Sequence, residues 1–332
     1  RETAIELPVY NLDKWKPLRE MFERMLNFLT GDCWTISFNK REVELLEKTD
    51  EGTPVPEFDA VTLFSGGMDS LVGTINHLEK HHKIALISHA GDSYTKNAQI
   101  KLLNHFHERY PDCDPLYLDL WMVFEKNIVP EGGNENTTRS RSFLFIAFGI
   151  FVMSGMKGAS TLEIPENGLI ALNVPLEMLR TGSHSTRTTH PFYLDFWNQV
   201  LNGLSMNLSV RNPYWNKTKG EMADECLNKA FLLQTIHDSI SCSSPQKARW
   251  RGAAPQHCGY CVPCIIRRAA MNKAFKGEKD STTYLINNVT ELVSSHAEGK
   301  GVQLRSFQIA ISRIKEQPTG ENFNSQERTS FW

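Results

Sequence analysis

The chain has 332 residues, 40% of them hydrophobic and 22% charged, with a formal net charge of -2 and a pI near 6.6. A chain of this length can bury one substantial core plus additions. Its charge balance does not point to nucleic acid as a partner, although a local basic groove is compatible with it. The longest apolar stretch, Phe143 to Met153, is shorter than the roughly 20 residues a bilayer span needs, so it is read as a buried helix and no membrane partner is expected.

In chain order, Leu18, Met21, Phe22, Met25, Leu26 and Leu29 share one helical face, Gly31-Asp32 ends that helix, and Trp34 to Phe38 alternates like a strand. Residues 1–57 are therefore expected to form a small α/β appendage suited to docking a partner. Its last stretch, Glu51 to Glu57, carries Gly52, Pro54 and Pro56 and reads as a linker. From Phe58 strands and helices alternate, which predicts an α/β fold with a doubly wound parallel sheet over 58–210. The expected strands are Ala60 to Phe64, Ile84 to Ser88, Leu116 to Leu120 and Ser160 to Ile164. A helical region is expected over 211–332. In such a sheet ligands sit beyond the carboxyl ends of the strands. That directs attention to the Ser65 turn, to His89 and the residues after it, to Trp121 onward, and to Pro165-Glu166-Asn167-Gly168.

The first of these carries the sharpest motif, Ser65-Gly66-Gly67-Met68-Asp69-Ser70, between an apolar strand and a helix marked by Leu71, Ile75 and Leu78. Adjacent glycines let the backbone approach an anion, the hydroxyls of Ser65 and Ser70 add donors, and the free amides of a helix start favour negative charge. The Gly-Lys-Ser/Thr ending of the other common phosphate loop is absent.

The second motif is Cys242, then Cys258-Gly-Tyr-Cys261-Val-Pro-Cys264. Four thiolates at these spacings suit a closed tetrahedral Zn2+ site of structural character, with an iron-sulfur cluster as the other occupant such a set can hold. Cys33, Cys113 and Cys226 stand alone and are expected to be packed core thiols. Metal-spaced cysteines with no spanning segment favour a cytoplasmic location.

Weaker signals complete the candidate set. Arg139 and Arg141 open a helix and either neutralise phosphate or form a solvated pair. Lys219 can reach phosphate in the same way, while Thr218 and Glu221 have the spacing of a capping box. Glu166 either accepts hydrogen bonds from a nitrogen heterocycle or is an exposed turn residue. The Ser183 to His190 run, which includes His184 and Arg187, is either a substrate-closing loop or a solvated linker.

Taken together, the Ser-Gly-Gly-x-Asp-Ser loop followed by Cys and Cys-x2-Cys-x2-Cys resembles the QueC-like family of PP-loop ATPases, the 7-cyano-7-deazaguanine synthases. Arg139 to Leu144, Asn212-Pro213 and Thr218-Lys219-Gly220-Glu221-Met222 are further matches, and the resemblance covers roughly Phe58 to Arg268. The front segment, with Leu7-Pro8-Val9, Trp15 and Leu29 to Trp34, is similar to QueC-like proteins of bacterial anti-phage systems, those of the Qat system first and those of type IV CBASS next. The front region, the long gap between Cys242 and Cys258, and the 182–191 segment depart from stand-alone synthases.

The resemblance implies ATP and Mg2+ as cofactors and AMP-forming activation of 7-carboxy-7-deazaguanine. It assigns ATP binding to Ser65, Gly66, Gly67, Met68, Asp69, Ser70 and His89. Catalytic roles fall to Asp69, Arg139, Arg141 and Lys219, and substrate contacts to Glu166, Asn167 and Arg187. The acceptor is then an amine, either on a partner protein of the same defence operon or ammonia in a nitrile-forming synthase. A nucleotide or deazaguanine sensor without turnover is the third expectation.

Overall fold

The computed structural model of the chain describes residues 1–42, 55–89, 91–122, 140–173, 187–278, 280–292 and 301–316. Arg139, His184 and most of the expected 51–57 linker lie outside the described residues.

The front unit is a parallel β-α-β unit. Strand β1 (Glu2–Val9) runs beside β2 (Cys33–Lys40), with Glu2 opposite Cys33 and Val9 opposite Lys40. Helices α1 (Leu12–Trp15) and α2 (Arg19–Thr30) connect them. The apolar stripe of α2 buries Phe22, Met25, Leu26 and Leu29, and Gly31 ends it in the left-handed region at φ 73°. β1 has no buried position, although Ile5, Leu7 and Val9 alternate with Glu6 and Pro8 along it.

The main sheet has five parallel strands: β4 (Ala60–Leu63), β5 (Ile84–Ser88), β6 (Leu116–Asp119), β8 (Thr161–Glu163) and β9 (Ser209–Arg211). Their spatial order is β6-β5-β4-β8-β9. A further short pair, β3 (Glu57–Phe58) and β7 (Lys157–Gly158), runs parallel outside it. The chain starts in the middle at β4, winds outward through β5 and β6, and then returns to place β8 on the other side of β4. The reversal point therefore lies between β4 and β8, where a doubly wound sheet opens its ligand crevice.

The connections are α3 (Met68–Leu78), α4 (Ser93–Arg109), α5 (Arg141–Ser154), α6 (Gly168–Ala171) and α7 (Pro191–Gly203). Expected to be a buried helix, α5 buries only one face, with Ser142, Ile146, Gly149, Ile150 and Met153; Phe151 on the opposite face is 73% exposed.

Beyond the sheet come α8 (Lys219–Asp224), α9 (Lys229–Thr235), α10 (Val262–Phe275) and α11 (Val302–Glu316). The expected boundary at 210 falls inside β9. The stretches on its two sides also share one core: Phe64, Leu71 and Ile75 pack in the same cluster as Met222, Phe231, Ala270 and Met271. A second cluster joins the front unit to the sheet, with Phe22, Met25 and Leu29 among Ile146, Leu162, Phe196 and Trp197.

Candidate functional site

The Ser65 turn leaves β4 at the reversal point. Gly66 holds φ at 77°, and a Cβ there would stand 3.0 Å from the Gln99 side chain. Gly67 precedes α3 with no side chain capping the helix, so the first amides of α3 remain directed into the turn. The hydroxyls are ordered by one another: Ser65 Oγ lies 3.2 Å from Ser70 Oγ and accepts from the Gly67 N–H at 3.3 Å. Two distant segments fix the backbone. Gln99 Nε2 donates to the Ser65 carbonyl at 3.3 Å, and the Ile240 N–H donates to the Gly66 carbonyl at 2.8 Å.

This loop forms one wall of a cavity of about 280 Å³. Ser65, Gly67, Met68 and Asp69 face Pro165 and Glu166 just beyond β8, Ile170 of α6, Lys219 of α8, and Ile240, Ser241 and Ser243. Pro263 and Ile266 of α10 close it. Asp69 and Lys219 form a buried ion pair, Nζ to Oδ1 2.9 Å. The other carboxylate oxygen of Asp69 accepts from Asn167 Nδ2 at 2.8 Å. Asn167 is fully buried and also caps α6, so it orients Asp69 and is absent from the cavity wall, contrary to the expected substrate contact. The Thr218–Glu221 capping box is present and sets the start of α8 beside the cavity.

Glu166 is held by its backbone. Asn212 Nδ2 donates to its carbonyl at 2.8 Å and Asn212 Oδ1 accepts from its N–H at 3.3 Å. Burial first, and the adjacent Asp69 charge second, push its carboxyl up to about 8, with Lys219 opposing. Around neutral pH this carboxyl therefore keeps its proton while the cavity is empty.

His89 ends β5 beside Ser65 in a second, apolar pocket lined by Phe64, Ile87, Leu120, Phe145 and Phe148. Its ring lies 5.1 Å from that of Phe145, and its Nδ1 is buried without a hydrogen-bond partner. Arg141 is exposed and reaches over the same Phe145 ring at 6.0 Å. Loop, His89 and Arg141 are thus gathered along the carboxyl edge of β4 and β5.

Arg187 goes elsewhere. Its guanidinium donates to the Phe28 carbonyl at 2.7 Å and lies 4.7 Å over the Phe28 ring. Beside it His190 caps α7, accepting from the Phe192 N–H at 3.2 Å, and stands 5.1 Å from the same ring. Arg187 thus clamps the front unit and does not line the cavity described above.

Cys242, Cys258, Cys261 and Cys264 are buried, with their sulfurs all within 4.8 Å of one another. They are positioned to bind a metal ion such as zinc. Amides point at the sulfurs as a thiolate set requires: Ser244 and Cys258 donate to Cys242 at 3.4 Å, and Cys261 to Cys258 at 3.3 Å. A metal ion held by all four would have no open coordination position. Of the other cysteines only Cys226 is a buried thiol, pushed up to about 11 by desolvation; Cys33 is exposed at the start of β2 and Cys113 half-buried.

Sequence reasoning had no signal for several residues that shape this region. Arg267 is fully buried one helical turn from the cluster, where it donates to Ser239 Oγ at 2.9 Å, to Thr282 Oγ1 at 2.9 Å and to the Ile236 carbonyl. His257 Nε2 accepts from the Ser241 N–H at 3.0 Å, and burial followed by the Arg267 charge lowers that imidazole to about 3, so it stays neutral. Both residues secure Ser239 to Ser243, the segment that roofs the loop and carries Cys242. Its only sequence clue is its adjacency to the first cysteine. No helix among the described residues is long and apolar enough to cross a membrane. The chain matches no protein-family model and no curated protein.

Proposed function

We propose that this chain binds ATP at the Ser65–Ser70 loop and uses it to adenylate a carboxylate, that of 7-carboxy-7-deazaguanine, before passing the acyl group to an amine on a partner protein in anti-phage defence. The observation that carries this reading is the convergence of an uncapped, glycine-bent phosphate loop, a buried lysine and a proton-holding carboxyl on one cavity at the sheet's reversal point.

A carboxylate cannot expel oxide when an amine attacks, so it must first gain a leaving group. Its oxygen attacks the α-phosphorus of ATP, the bond to pyrophosphate breaks, and an acyl-adenylate forms. The amine nitrogen then attacks the acyl carbon, AMP departs, and the amine loses its proton. The chain's part is alignment and charge neutralisation. Loop amides and the Ser65 and Ser70 hydroxyls grip the departing pyrophosphate, and Lys219 offsets its charge. The apolar pocket beside His89 suits the purine ring, with Arg141 at its rim. Glu166 accepts N–H donors of the deazaguanine and releases its proton on doing so. Asp69 offers a carboxylate on the phosphate side of the cavity, with its Oδ1 2.9 Å from the Lys219 ammonium, so a Mg2+ held there would share that oxygen with the lysine as Lys219 turns to the phosphates. Asp69 would hold that ion, which would neutralise phosphate charge. The four cysteines suit Zn2+ in a bracing role.

The test is to incubate the purified chain with ATP labelled at the α-phosphate, Mg2+ and 7-carboxy-7-deazaguanine, with and without its operon neighbours, and to record intact masses of every protein. Carboxylate-dependent AMP release together with an acyl-deazaguanine mass on one neighbour is expected. ADP as the product, or no AMP under any condition, overturns the adenylation. Free amide or nitrile as the sole product with every neighbour present overturns the protein acceptor.

A further inference from the structure

Between the first metal ligand and the other three the chain makes a detour that the nucleotide cavity does not use. Pro245–Arg251 forms a 3-10 helix that ends at Gly252 in the left-handed region, φ 69°. Its base is closed by the Gln256 N–H donating to the Pro245 carbonyl at 3.4 Å, and its tip by the Ala253 N–H donating to the Ala248 carbonyl at 3.2 Å. Ala248 is buried and pins the middle, while Cys242 and Cys258 pin the two ends.

What this rigid knuckle presents outward is unusual for the chain. Trp250 is 84% exposed, more than any other large hydrophobic side chain among the described residues. Arg249 and Arg251 flank it, both exposed, and Lys247 stands one 3-10 turn before it. The segment contains no acidic residue. Among the described residues none of these three cations has an ion-pair or side-chain hydrogen-bond partner. A bare indole ringed by unneutralised cations, on a chain whose net charge is -2, is a local anion-attracting surface with an apolar centre.

We propose that this metal-anchored knuckle docks an acidic peptide segment of the protein that presents the acceptor amine. Guanidinium groups pair with carboxylates bidentately, and tryptophan with arginine is the composition that dominates protein-binding hot spots. An apolar side chain between two acidic ones covers the indole while its neighbours meet Arg249 and Arg251. Single-stranded nucleic acid fits less well, because it calls for a continuous basic track with several stacking aromatics. Here one tryptophan and three cations sit on an otherwise negative chain. The knuckle is tethered to the cavity wall by the chain: Ser243, two residues before Pro245, is one of the lining residues. That this protein is the acceptor rests on the transfer reaction proposed above; the docking itself does not.

The test uses the full, zinc-loaded chain and fluorescence anisotropy. Three labelled probes are compared: a peptide alternating Glu and Leu, the same peptide with Gln for Glu, and an oligothymidylate of equal length. The acidic peptide is expected to bind, to weaken with added salt, and to lose about tenfold in affinity in Trp250→Ala and in the double variant Arg249→Glu, Arg251→Glu. The Gln peptide is expected not to bind. These side chains are exposed and outside the cavity, so AMP release from the small carboxylate should be unchanged in both variants. Unaltered peptide affinity in the variants, or tighter binding of the oligothymidylate than of the peptide, overturns the proposal. Knuckle-dependent peptide binding without any AMP release leaves the docking standing and removes the transfer reaction.

Discussion

Asp69 and Lys219 neutralise each other in the cavity wall, largely buried, and each is the other's only opposite charge within ion-pair distance among the described residues. Removing one partner strands the other, which typically costs about 3 kcal/mol or more. Lys219→Met should therefore lower the unfolding free energy by about that amount in urea titrations. Adding Asp69→Asn should restore part of the loss, while AMP release stays abolished in both.

Glu166 gives a second, pH-dependent expectation. Its carboxyl stays protonated up to about 8 in the folded chain, against 4.5 ordinarily. Between those values the folded state holds a proton that the unfolded state has already lost, so this group's contribution to stability is lost as pH rises. Glu166→Gln removes that slope. The melting temperature of the variant minus that of the wild type should grow from about pH 5 to about pH 8.5. A flat difference across that range would show that Glu166 titrates normally.

Among the elements, the segment from Ser239 to Ser243 does two jobs at once. It donates from Ile240 to the Gly66 carbonyl, and one residue past Ser241 it supplies the first metal ligand. Metal removal by a strong chelator should therefore weaken binding of an ATP analogue as well as lower the melting temperature, although no ligand sulfur touches the cavity. Calorimetry before and after chelation, with zinc added back, reads both effects. An unchanged affinity in metal-stripped but folded chain would separate the two sites.

This coupling was invisible in the sequence because it runs through a backbone amide and carbonyl, which have no residue signature. Strands β4 and β5 were legible, since Val61 and Leu86 belong to short, largely buried apolar runs, and β8 was legible because buried Leu162 and Ile164 alternate with Thr161 and Glu163. β9 was not, because only Val210 of its three residues is buried. The loop and the cysteines were legible because their chemistry demands particular residues at particular spacings. For Arg187 and Asn167 the sequence does not separate a ligand from the Phe28 carbonyl or the Asp69 carboxylate, since their side-chain chemistry suits both, and only the fold decides which lies nearby.

Across the whole molecule, the front unit is tied to the five-stranded sheet and its helices by α2 against α7 and by Arg187 on Phe28. At Gly203 an added Cβ would come within 2.4 Å of Leu18, so the contact is close. Arg187→Ala removes one hydrogen bond and one cation–π contact, and should cost about 1 kcal/mol. It should also speed proteolysis within residues 1–57 while carboxylate-dependent AMP release persists. A selective rise in the KM for the carboxylate would return Arg187 to the substrate instead.

The cavity's walls are separated widely along the chain, and that fixes an order of maturation. A nascent chain has all five strands of its central sheet once Arg211 has emerged, but Lys219, the Ile240 roof, the fourth thiol at Cys264 and the Ile266 wall follow later. The cavity and the four-thiol cluster are thus completed together, within a few residues of one another in α10. A chain deprived of metal is expected to reach full length with the roof of its cavity unsecured.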